Sequence, residues 1–283
     1  MGIKLLNNLI QKTCHKNKLI SLFELKGKKI VIDVSIYLYR FKSEQKLMEN
    51  MYLLCGLFQY YNIIPLFIFD GKPPDMKHNE LKIRQKKKEI ARVKYMKLNS
   101  YEIKSKYAKK LKRTFTRVNK TDIENVKKLI QNFGMMYVTS EGEADELCAK
   151  MVISNKAYAC LSEDTDLFVY GCPVVLRYFS IINHTIIKYE LKNILKTLDF
   201  TLDKFKKICI LSGTDYSSDT LNIYQCIRKF KKKNINLNIE ETKIYDLYNL
   251  INIKLPPNFE IFKNDINLNA IKEQMKSFNF IFT

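Results

Sequence analysis

The sequence predicts an α/β fold with a mostly parallel central sheet flanked by helices. Five short apolar runs typical of buried strands alternate with longer segments whose apolar residues recur at helical spacing. This alternation indicates parallel strands, because a parallel pair needs a crossover connection, which is usually a helix. With 283 residues, 46% of them hydrophobic, the chain can form one large domain, or one domain with an appended module.

Each predicted strand ends at or close to an acidic residue. In chain order the strands are KKIVID ending at Asp33, IIPLFIFD ending at Asp70, MMYVTSE reaching Glu141, AYACLSED reaching Asp164, and KICILSGTD reaching Asp215. The carboxyl ends of parallel strands lie along one edge of a sheet, where ligands bind. We therefore expect five chain segments to deliver acids to one place.

Three segments between these strands predict helices. They are residues 36–61, with an apolar stripe at helical spacing, residues 79–113, which are long and charged, and residues 122–133, with Thr121 as the N-cap. The composition becomes strongly basic after Asp70 and rich in Asn, Lys and Ile after Tyr216. These shifts predict a helical insertion over the sheet and a smaller helical C-terminal part.

The positive charge is concentrated in one segment. The chain has a net charge of +20, and residues 72–120 alone hold 18 Lys and Arg against four acidic residues. Such a concentration favours a surface that binds a polyanion, and nucleic acid is the first candidate. A Lys-rich solvated surface is the alternative.

The acids expected at the sheet edge indicate a site for divalent cations. Crowded carboxylates raise one another's pKa, so a cluster of them needs cations to be stable. Ligands that are all oxygen suit Mg²⁺ or Mn²⁺, and two such ions can hydrolyse a phosphodiester. The seven predicted ligands are Asp33, Asp70, Glu141, Glu143, Asp164, Asp166 and Asp215.

Each acid also has an ordinary structural explanation. The acids after the first two strands could be turn residues. Ser140 with Glu143 fits a capping box, residues 163–166 could form a solvated loop, and Asp215 could cap a helix. These explanations stay open for each acid alone, but their coincidence at five segment ends favours the metal cluster.

Other site classes lack support in the sequence. Seven Cys without a C-x-x-C pair and only three His exclude a zinc site of the usual spacing and suggest reduced thiols. No run reaches the length of a membrane helix, and Lys4 with Asn7 and Asn8 interrupts any signal peptide. We expect an intracellular protein that does not bind membranes, located in the nucleus or, if viral, at a cytoplasmic replication site.

Six motifs in order carry a resemblance to a known family. They are MGIKLLNNLI at 1–10, VIDVSIYLY at 31–39, IFDGKPPDMKHNELKIR at 68–84, VTSEGEADELCAKMV at 138–152, LSEDTDLFVYG at 161–171 and CILSGTDYS at 209–217. Together they resemble the flap endonucleases, which are XPG-type structure-specific 5′ nucleases. The resemblance implies a PIN-like 5′ nuclease fold with an N-terminal nuclease region at 1–107, its basic helical arch from about 72, an internal nuclease region at 108–216 and a helical C-terminal part at 217–283.

The resemblance also implies roles for the site residues. One Mg²⁺ would be held mainly by Asp33, Asp70 and Glu143 with Glu141 nearby, and a second by the three remaining acids, with Mn²⁺ able to substitute. Further roles fall to residues outside the acid set: Lys77 and Arg84 at the scissile phosphate, Tyr39 stacking on a base, Gly2 near the active site, and the arch around a 5′ single strand.

The sequence departs from the family after Asp215. The family has closely spaced glycines in a helix–hairpin–helix-like element, whereas residues 217–234 contain none, with Asn222 and Tyr224 at the expected places. Arg228 and Lys229 are then the candidates for phosphate contacts. The tail QMKSFNFIFT resembles a sliding-clamp peptide only superficially, and we interpret it as the end of the last helix and a strand.

The leading functional prediction is a monomeric nuclease that cuts DNA at 5′ flaps or nicks during replication or repair. A PIN-type ribonuclease shares the acidic sheet edge, but the arch-like insert and the full acid set argue against it. A non-catalytic nucleic-acid-binding subunit predicts the loss of one or more acids, and none is missing. A dehalogenase-like phosphatase needs D-x-D after the first strand, but Val34 and Ser35 follow Asp33.

Overall fold

A seven-stranded sheet organises the fold. The computed structural model describes residues 3–14, 17–72, 74, 77–99, 101–216, 221–231, 234–251, 253–255 and 260–282. Within them the strands are β1 Lys18–Ser21, β2 Lys29–Asp33, β3 Ile64–Phe69, β4 Met136–Thr139, β5 Ala159–Leu161, β6 Val174–Ser180 and β7 Thr185–Glu190. Their order in the sheet is β1-β7-β6-β5-β2-β3-β4. Neighbours from β6 to β4 are parallel, and β7 is antiparallel to both β6 and β1. The mostly parallel sheet of the prediction is confirmed.

Helices connect and cover these strands. They are α1 Leu6–Thr13, α2 Val34–Ser43, α3 Leu47–Tyr60, α4 His78–Met96, α5 Lys106–Phe115, α6 Lys120–Asn132, α7 Ala144–Ile153, α8 Asp166–Tyr170, α9 Leu191–Leu198, α10 Leu202–Leu211, α11 Ile223–Phe230, α12 Ile239–Leu247 and α13 Leu268–Lys276. Short 3₁₀ turns lie at Leu22–Leu25 and Glu102–Lys104. None of the helices within the described ranges is long and apolar enough to cross a membrane.

The predicted helical segments are present with different boundaries. The segment 36–61 forms two helices, α2 and α3, because the chain turns at Gln45, whose φ of 59° is left-handed. The segment 79–113 is likewise divided into α4 and α5. Helix α6 begins before the predicted Thr121, since Asn119 and Asp122 form a reciprocal capping box that satisfies two backbone N–H groups.

The fifth predicted strand is wrong. KICILSGTD lies in helix α10 and the turn after it, so Asp215 follows a helix rather than a strand. The Thr201 hydroxyl caps this helix by accepting from the N–H of Lys204 at 3.2 Å. Phe205, Ile208 and Cys209 are buried, at the i, i+3, i+4 spacing of a helix face. A short apolar run does not by itself distinguish a strand from a buried helix segment.

The sheet separates two hydrophobic cores. Alternate residues of a strand point to opposite faces, and in β2 Val31 packs into one core while Ile30 and Ile32 pack into the other. The first core lies against α1, α7, α8, α10 and α11, and the second against α2, α3, α6 and α13. Strands from both the N-terminal and the internal region build this one sheet, so neither region has a sheet of its own.

The strand order reverses at the centre of the sheet. From β2 the chain moves through β3 to β4 on one side and then returns to β5 on the other side of β2. A crevice for ligands forms outside the carboxyl ends of parallel strands at such a switch point. The residues that follow β2, β3, β4 and β5 therefore meet there.

The tail is part of the folded domain. Beyond α13, Phe280 and Phe282 pack against Tyr52 of α3, with ring centroids 5.0 and 5.8 Å from that tyrosine. Gln274 is buried, donates to the carbonyl of Asn125 and accepts from the side chain of Asn132. The tail therefore contains the end of the last helix, as predicted, but no strand within its described residues.

Candidate active site

Asp33 lies at the end of the central strand β2 and is almost fully buried. The Ser162 hydroxyl, which follows β5, donates to Asp33 Oδ2 at 2.9 Å, and the N–H of Ser35 donates to Oδ1 at 3.2 Å. Burial raises the pKa of Asp33 to about 8, and the charge of Asp70 adds to the shift. This carboxyl group is therefore held in place while its charge is unfavourable in the absence of a cation.

Asp70 follows β3 and connects two neighbouring segments. It accepts from the Ser35 hydroxyl through Oδ2, and from the N–H of Ala144 at 2.9 Å through Oδ1. The chain beyond β3 also pairs with the chain beyond β4, since the N–H of Gly71 donates to the carbonyl of Gly142 at 2.8 Å. A Cβ at Gly71 would lie 2.0 Å from the carbonyl oxygen of Ser140, so only glycine fits there.

The start of α7 differs from the predicted capping box. Glu143 is the N-cap residue of α7, but its side chain forms no capping hydrogen bond with the helix. The N–H of Ala144 is satisfied by Asp70 instead, as described above. The Glu143 carboxylate is consequently free to pair with Lys77. The side chain of Glu141 is exposed, and the contacts described for this residue are those of its backbone carbonyl.

Residues 164–166 are buried and Glu163 is partly buried, so a solvated loop is the wrong interpretation. Asp164 and Asp166 are 7% and 2% exposed. The Ser162 hydroxyl accepts from the N–H of Asp164 at 3.1 Å, and Asp164 Oδ1 accepts from the N–H of Asp166 at 3.0 Å. Burial, followed by the charges of Asp164 and Asp215, raises the pKa of Asp166 well above its ordinary value.

Two cations of the basic segment lie among the acids. Lys77, just before α4, is buried; its Nζ forms an ion pair with Glu143 and lies 3.5 Å from Asp215 Oδ2. Arg84, two turns along α4, pairs with the same Oδ2 of Asp215. The Tyr216 hydroxyl donates to Glu143 at 3.3 Å, and Lys77 lies over the Tyr216 ring. Burial alone would lower the pKa of Lys77, but interactions with Tyr216 and Glu143 raise it.

The sequence interpretation missed two buried acids of the cluster, Asp145 and Glu146. Asp145, in the first turn of α7, is 8% exposed and interacts electrostatically with Asp164, Glu143, Lys77 and Asp166. Burial and the first two of these neighbours raise its pKa well above the ordinary value. Its position inside SEGEAD was visible, but the helix that turns it towards the other acids was not.

The carboxylate oxygens of the acid cluster are ligands of the kind that hard divalent cations prefer, although they do not form a complete coordination shell in this structure. Within the described ranges, no three acidic, His or Cys side chains converge closely enough to hold an ion in this arrangement. Asp166 Oδ1 is buried without a hydrogen-bond partner, and a buried polar atom of this kind is normally satisfied. A cation bound by Asp166 would supply that partner.

Three of the predicted nucleic-acid contacts lie within the described residues and are accessible to solvent. Tyr39 on α2 is 43% exposed, so it is not a core tyrosine, and Lys88 of α4 lies 5.7 Å from its ring centroid. Arg228 and Lys229 are exposed in the last turn of α11. Gly2 lies outside the described residues.

Helix α11, in the glycine-free residues 217–234, begins without a backbone conformation that requires glycine. Asn222, with a φ of −71°, forms a capping box with Gln225, and Tyr224 lies within α11. Neither Asn222 nor Tyr224 adopts the left-handed backbone that favours glycine. Helix α11 therefore starts from a side-chain cap.

Comparison with known proteins identifies the family. Residues 1–91 match the XPG N-terminal domain and residues 134–215 the XPG I-region. Flap endonuclease 1 of Theileria annulata is 33% identical over 256 residues, which are 82% of this chain and 50% of that protein. Flap endonuclease 1 of Methanococcus aeolicus is 28% identical over 292 residues, 95% of this chain and 86% of that protein. The chain thus spans about half the length of the Theileria relative.

A solved structure shows the same fold. The catalytic core of Rad2 in complex with a DNA substrate superposes with a TM-score of 0.73, at 18% identity, over 98% of this chain and 95% of that one. The two matched regions contain all seven predicted acids, together with Lys77 and Arg84. On the evidence of both matches and this PIN-like 5′ nuclease fold, the chain belongs to the XPG-type flap endonuclease family.

Proposed function

We propose that this chain is a divalent-metal-dependent nuclease that hydrolyses DNA phosphodiesters at junctions of single- and double-stranded DNA, such as 5′ flaps and nicks, in replication or repair. One observation carries the proposal. Carboxylates from separate segments gather at the switch point of the sheet, and two cations of the basic segment, Lys77 just before α4 and Arg84 within it, pair with them. An acidic site beside a cationic helix suits a phosphodiester, whose negative charge needs neutralisation.

The acids would bind two Mg²⁺ ions, for which Mn²⁺ could substitute. Asp33, Asp70 and Glu143 would hold one ion, and Asp164, Asp166 and Asp215 the other, with Glu141 turning in from its exposed position. When bound, such ions activate a water and stabilise the leaving oxygen. The hydrogen bonds to these carboxylates fix their orientation before any ion arrives.

The two cations would act on the phosphate. Lys77 is the N-cap residue of α4, and Arg84 follows seven residues later, about two helical turns, so both lie on one side at the start of the helix. When DNA binds, we propose that they exchange their carboxylate partners for the scissile phosphate. Fixed positive charge there stabilises the charge that develops in the transition state. Exposed Tyr39 would stack on a base at the junction.

The remaining basic residues would hold the DNA. Helices α4 and α5 would form the arch around the 5′ single strand; they pack on each other through Tyr95 and Phe115, whose ring centroids are 5.3 Å apart. Arg228 and Lys229 on α11 would contact duplex phosphates. Because Gln274 is buried in the folded tail, we propose that this segment does not bind a sliding clamp. We propose in addition that the protein is a monomer.

The test is cleavage of labelled 5′-flap, nicked, blunt, single-stranded and RNA substrates in Mg²⁺ and in EDTA. The Asp164→Asn variant removes the charge but keeps an oxygen for the N–H of Asp166. Glu124→Gln, at an exposed acid of α6, is the matched control. We expect Mg²⁺-dependent cutting of the flap and nicked DNA by the wild type and the control only. Tight binding without cutting by the wild type would support a binding subunit, and preferential cutting of RNA a ribonuclease.

A second assay tests the duplex interface. The slope of log affinity against log salt falls by about 0.9 for each phosphate of B-DNA that the protein no longer neutralises. Replacing Arg228 and Lys229 with serine should therefore reduce the slope for a nicked duplex by about 1.8. The same change at Lys192 and Lys196, two exposed lysines of α9, should leave the slope unaltered. If both double variants kept the wild-type slope, α11 would not be part of the duplex interface.

A further inference from the structure

A tyrosine of the C-terminal part reaches the acid cluster. Tyr248 follows α12 and is completely buried. Its hydroxyl donates to Asp166 Oδ2 at 3.0 Å, across 82 positions of sequence. Neither family model extends this far, since the I-region ends at residue 215. The contact therefore connects a residue outside the matched regions to a predicted metal ligand.

The two oxygens of Asp166 have different environments. Oδ2 accepts from Tyr248, whereas the buried Oδ1 has no hydrogen-bond partner. The same carboxyl group interacts electrostatically with Asp164 and Asp215. We propose that Tyr248 is a positioning residue for Asp166, whose hydroxyl fixes one carboxylate oxygen so that the other faces a divalent cation. This inference rests on the proposed function, in which Asp166 is a metal ligand.

Tyr248 is itself held firmly. Its ring packs against Tyr170, on the same short helix as Asp166, with a centroid distance of 4.8 Å, and edge-on against Tyr216 at 6.2 Å. Its carbonyl accepts from the buried Lys206 Nζ at 3.1 Å, and Lys206 also donates to Asn249. Contacts to the ring and to the backbone of Tyr248 thus fix the position of its hydroxyl group.

The physical consequence is a preformed ligand geometry. The hydrogen bond from Tyr248 restricts rotation of the Asp166 carboxyl group, and it would strengthen when a bound cation keeps that group ionised, because a hydrogen bond to a charged acceptor is stronger than one between neutral groups. Hydrogen-bond partners of metal ligands typically change metal affinity or activity about 10- to 100-fold when removed. Loss of the Tyr248 hydroxyl alone should therefore weaken cation binding while the ring continues to fill its place in the core.

The experiment compares Tyr248→Phe with Tyr245→Phe. Tyr245 lies on α12, just before Tyr248, and its hydroxyl donates to the exposed Asp203 at 2.8 Å, away from the predicted ligands. Mn²⁺ binding is followed by electron paramagnetic resonance without DNA, and the melting temperature is measured in EDTA. We expect the Mn²⁺ dissociation constant of Tyr248→Phe to rise about tenfold, with that of Tyr245→Phe unchanged. Equal dissociation constants for Tyr248→Phe and the wild type would overturn the proposal, whatever happens to the melting temperature.

A double-mutant cycle connects the effect to Asp166. If Tyr248 acts through that carboxylate, Tyr248→Phe should change Mn²⁺ affinity little in an Asp166→Asn background. A full tenfold effect in that background would refute the route through Asp166. A wild type that binds Mn²⁺ but cuts no DNA would refute the proposed function alone, and the binding comparison would still decide the role of Tyr248.

Discussion

Replacing Asp33 with asparagine should stabilise the metal-free protein, although it removes a predicted metal ligand. In the unfolded chain the Asp33 carboxyl ionises near its ordinary pKa of 3.8, whereas burial and the charge of Asp70 raise the pKa to about 8 in the folded protein. Between these values the folded state binds more protons than the unfolded state. The free energy of unfolding therefore falls as the pH rises through this window.

The expected gain in the free energy of unfolding follows from the pH interval between the unfolded-state pKa of Asp33 and pH 7. One pH unit corresponds to about 1.4 kcal/mol, so the roughly three units between 3.8 and pH 7 amount to at most about 4 kcal/mol. Asparagine avoids this cost and can keep both contacts, accepting from the N–H of Ser35 and donating to the hydroxyl of Ser162. We expect Asp33→Asn to gain about 2 to 4 kcal/mol at pH 7.

Urea unfolding in EDTA at several pH values between 4 and 8 measures this difference at constant ionic strength. The gain should be small near pH 4, grow with pH and level off above about 8. Asp246→Asn, at an exposed acid, controls for the general loss of one negative charge. A gain that does not change with pH, or no gain at pH 7, would refute the assignment of the burial cost to this carboxyl group.

Three further substitutions test separate features. Lys77→Met should slow cleavage at saturating Mg²⁺ by about 100-fold or more because a fixed charge beside the phosphate is lost, while Lys86→Met, at an exposed position of α4, should cut normally. Gly71→Ala should lower the free energy of unfolding by about 1 to 3 kcal/mol, because the added Cβ would clash with the backbone. The control is Gly56→Ala in α3, where the added Cβ meets open space; this substitution should raise the free energy of unfolding by about 0.5 to 1 kcal/mol. Asn222→Ala removes the cap of α11 and should cost about 1 kcal/mol in urea unfolding.

Each of these has a contrary result. Equal single-turnover rates for Lys77→Met and the wild type would show that the lysine serves the fold rather than the reaction. A neutral Gly71→Ala would mean that the loops after β3 and β4 can separate freely. A neutral Asn222→Ala would show that the start of α11 does not depend on its capping box.

The sequence predicts most of the sheet that carries the site. Strands β2 to β5 are recognisable because each is a short apolar run with an acid at or after its end. The run KICILSGTD was assigned wrongly because its apolar residues are contiguous, and such a run fits both the two-residue period of a strand and the 3.6-residue period of a helix. Only the N-cap residue Thr201, upstream of the run, indicates a helix. Strands β1, β6 and β7 were not predicted, although the Val, Ile and Tyr content of β6 and β7 is typical of strands.

The site is only partly predictable from sequence. The acids can be found from their positions at the segment ends, but their hydrogen-bond partners cannot, because Ser162 and Tyr248 reach Asp33 and Asp166 from distant parts of the chain. Whether an acid is buried also depends on tertiary packing. For this reason Asp145 and Glu146 were missed, and the exposed Glu141 was expected to lie with the others.

The attachment of helix α4 to the acid cluster has a mechanical consequence. Lys77 lies at the N-terminal end of α4, a helix of 19 residues that is about 28 Å long at about 1.5 Å per residue. Three ion pairs, from Lys77 to Glu143 and Asp215 and from Arg84 to Asp215, attach this end to the acid cluster, while Tyr95 near the far end packs on α5. On the proposed function, a bound strand that displaced the far end would move the stiff helix and with it those ion pairs, so strand binding and the electrostatics of the acid cluster would change together.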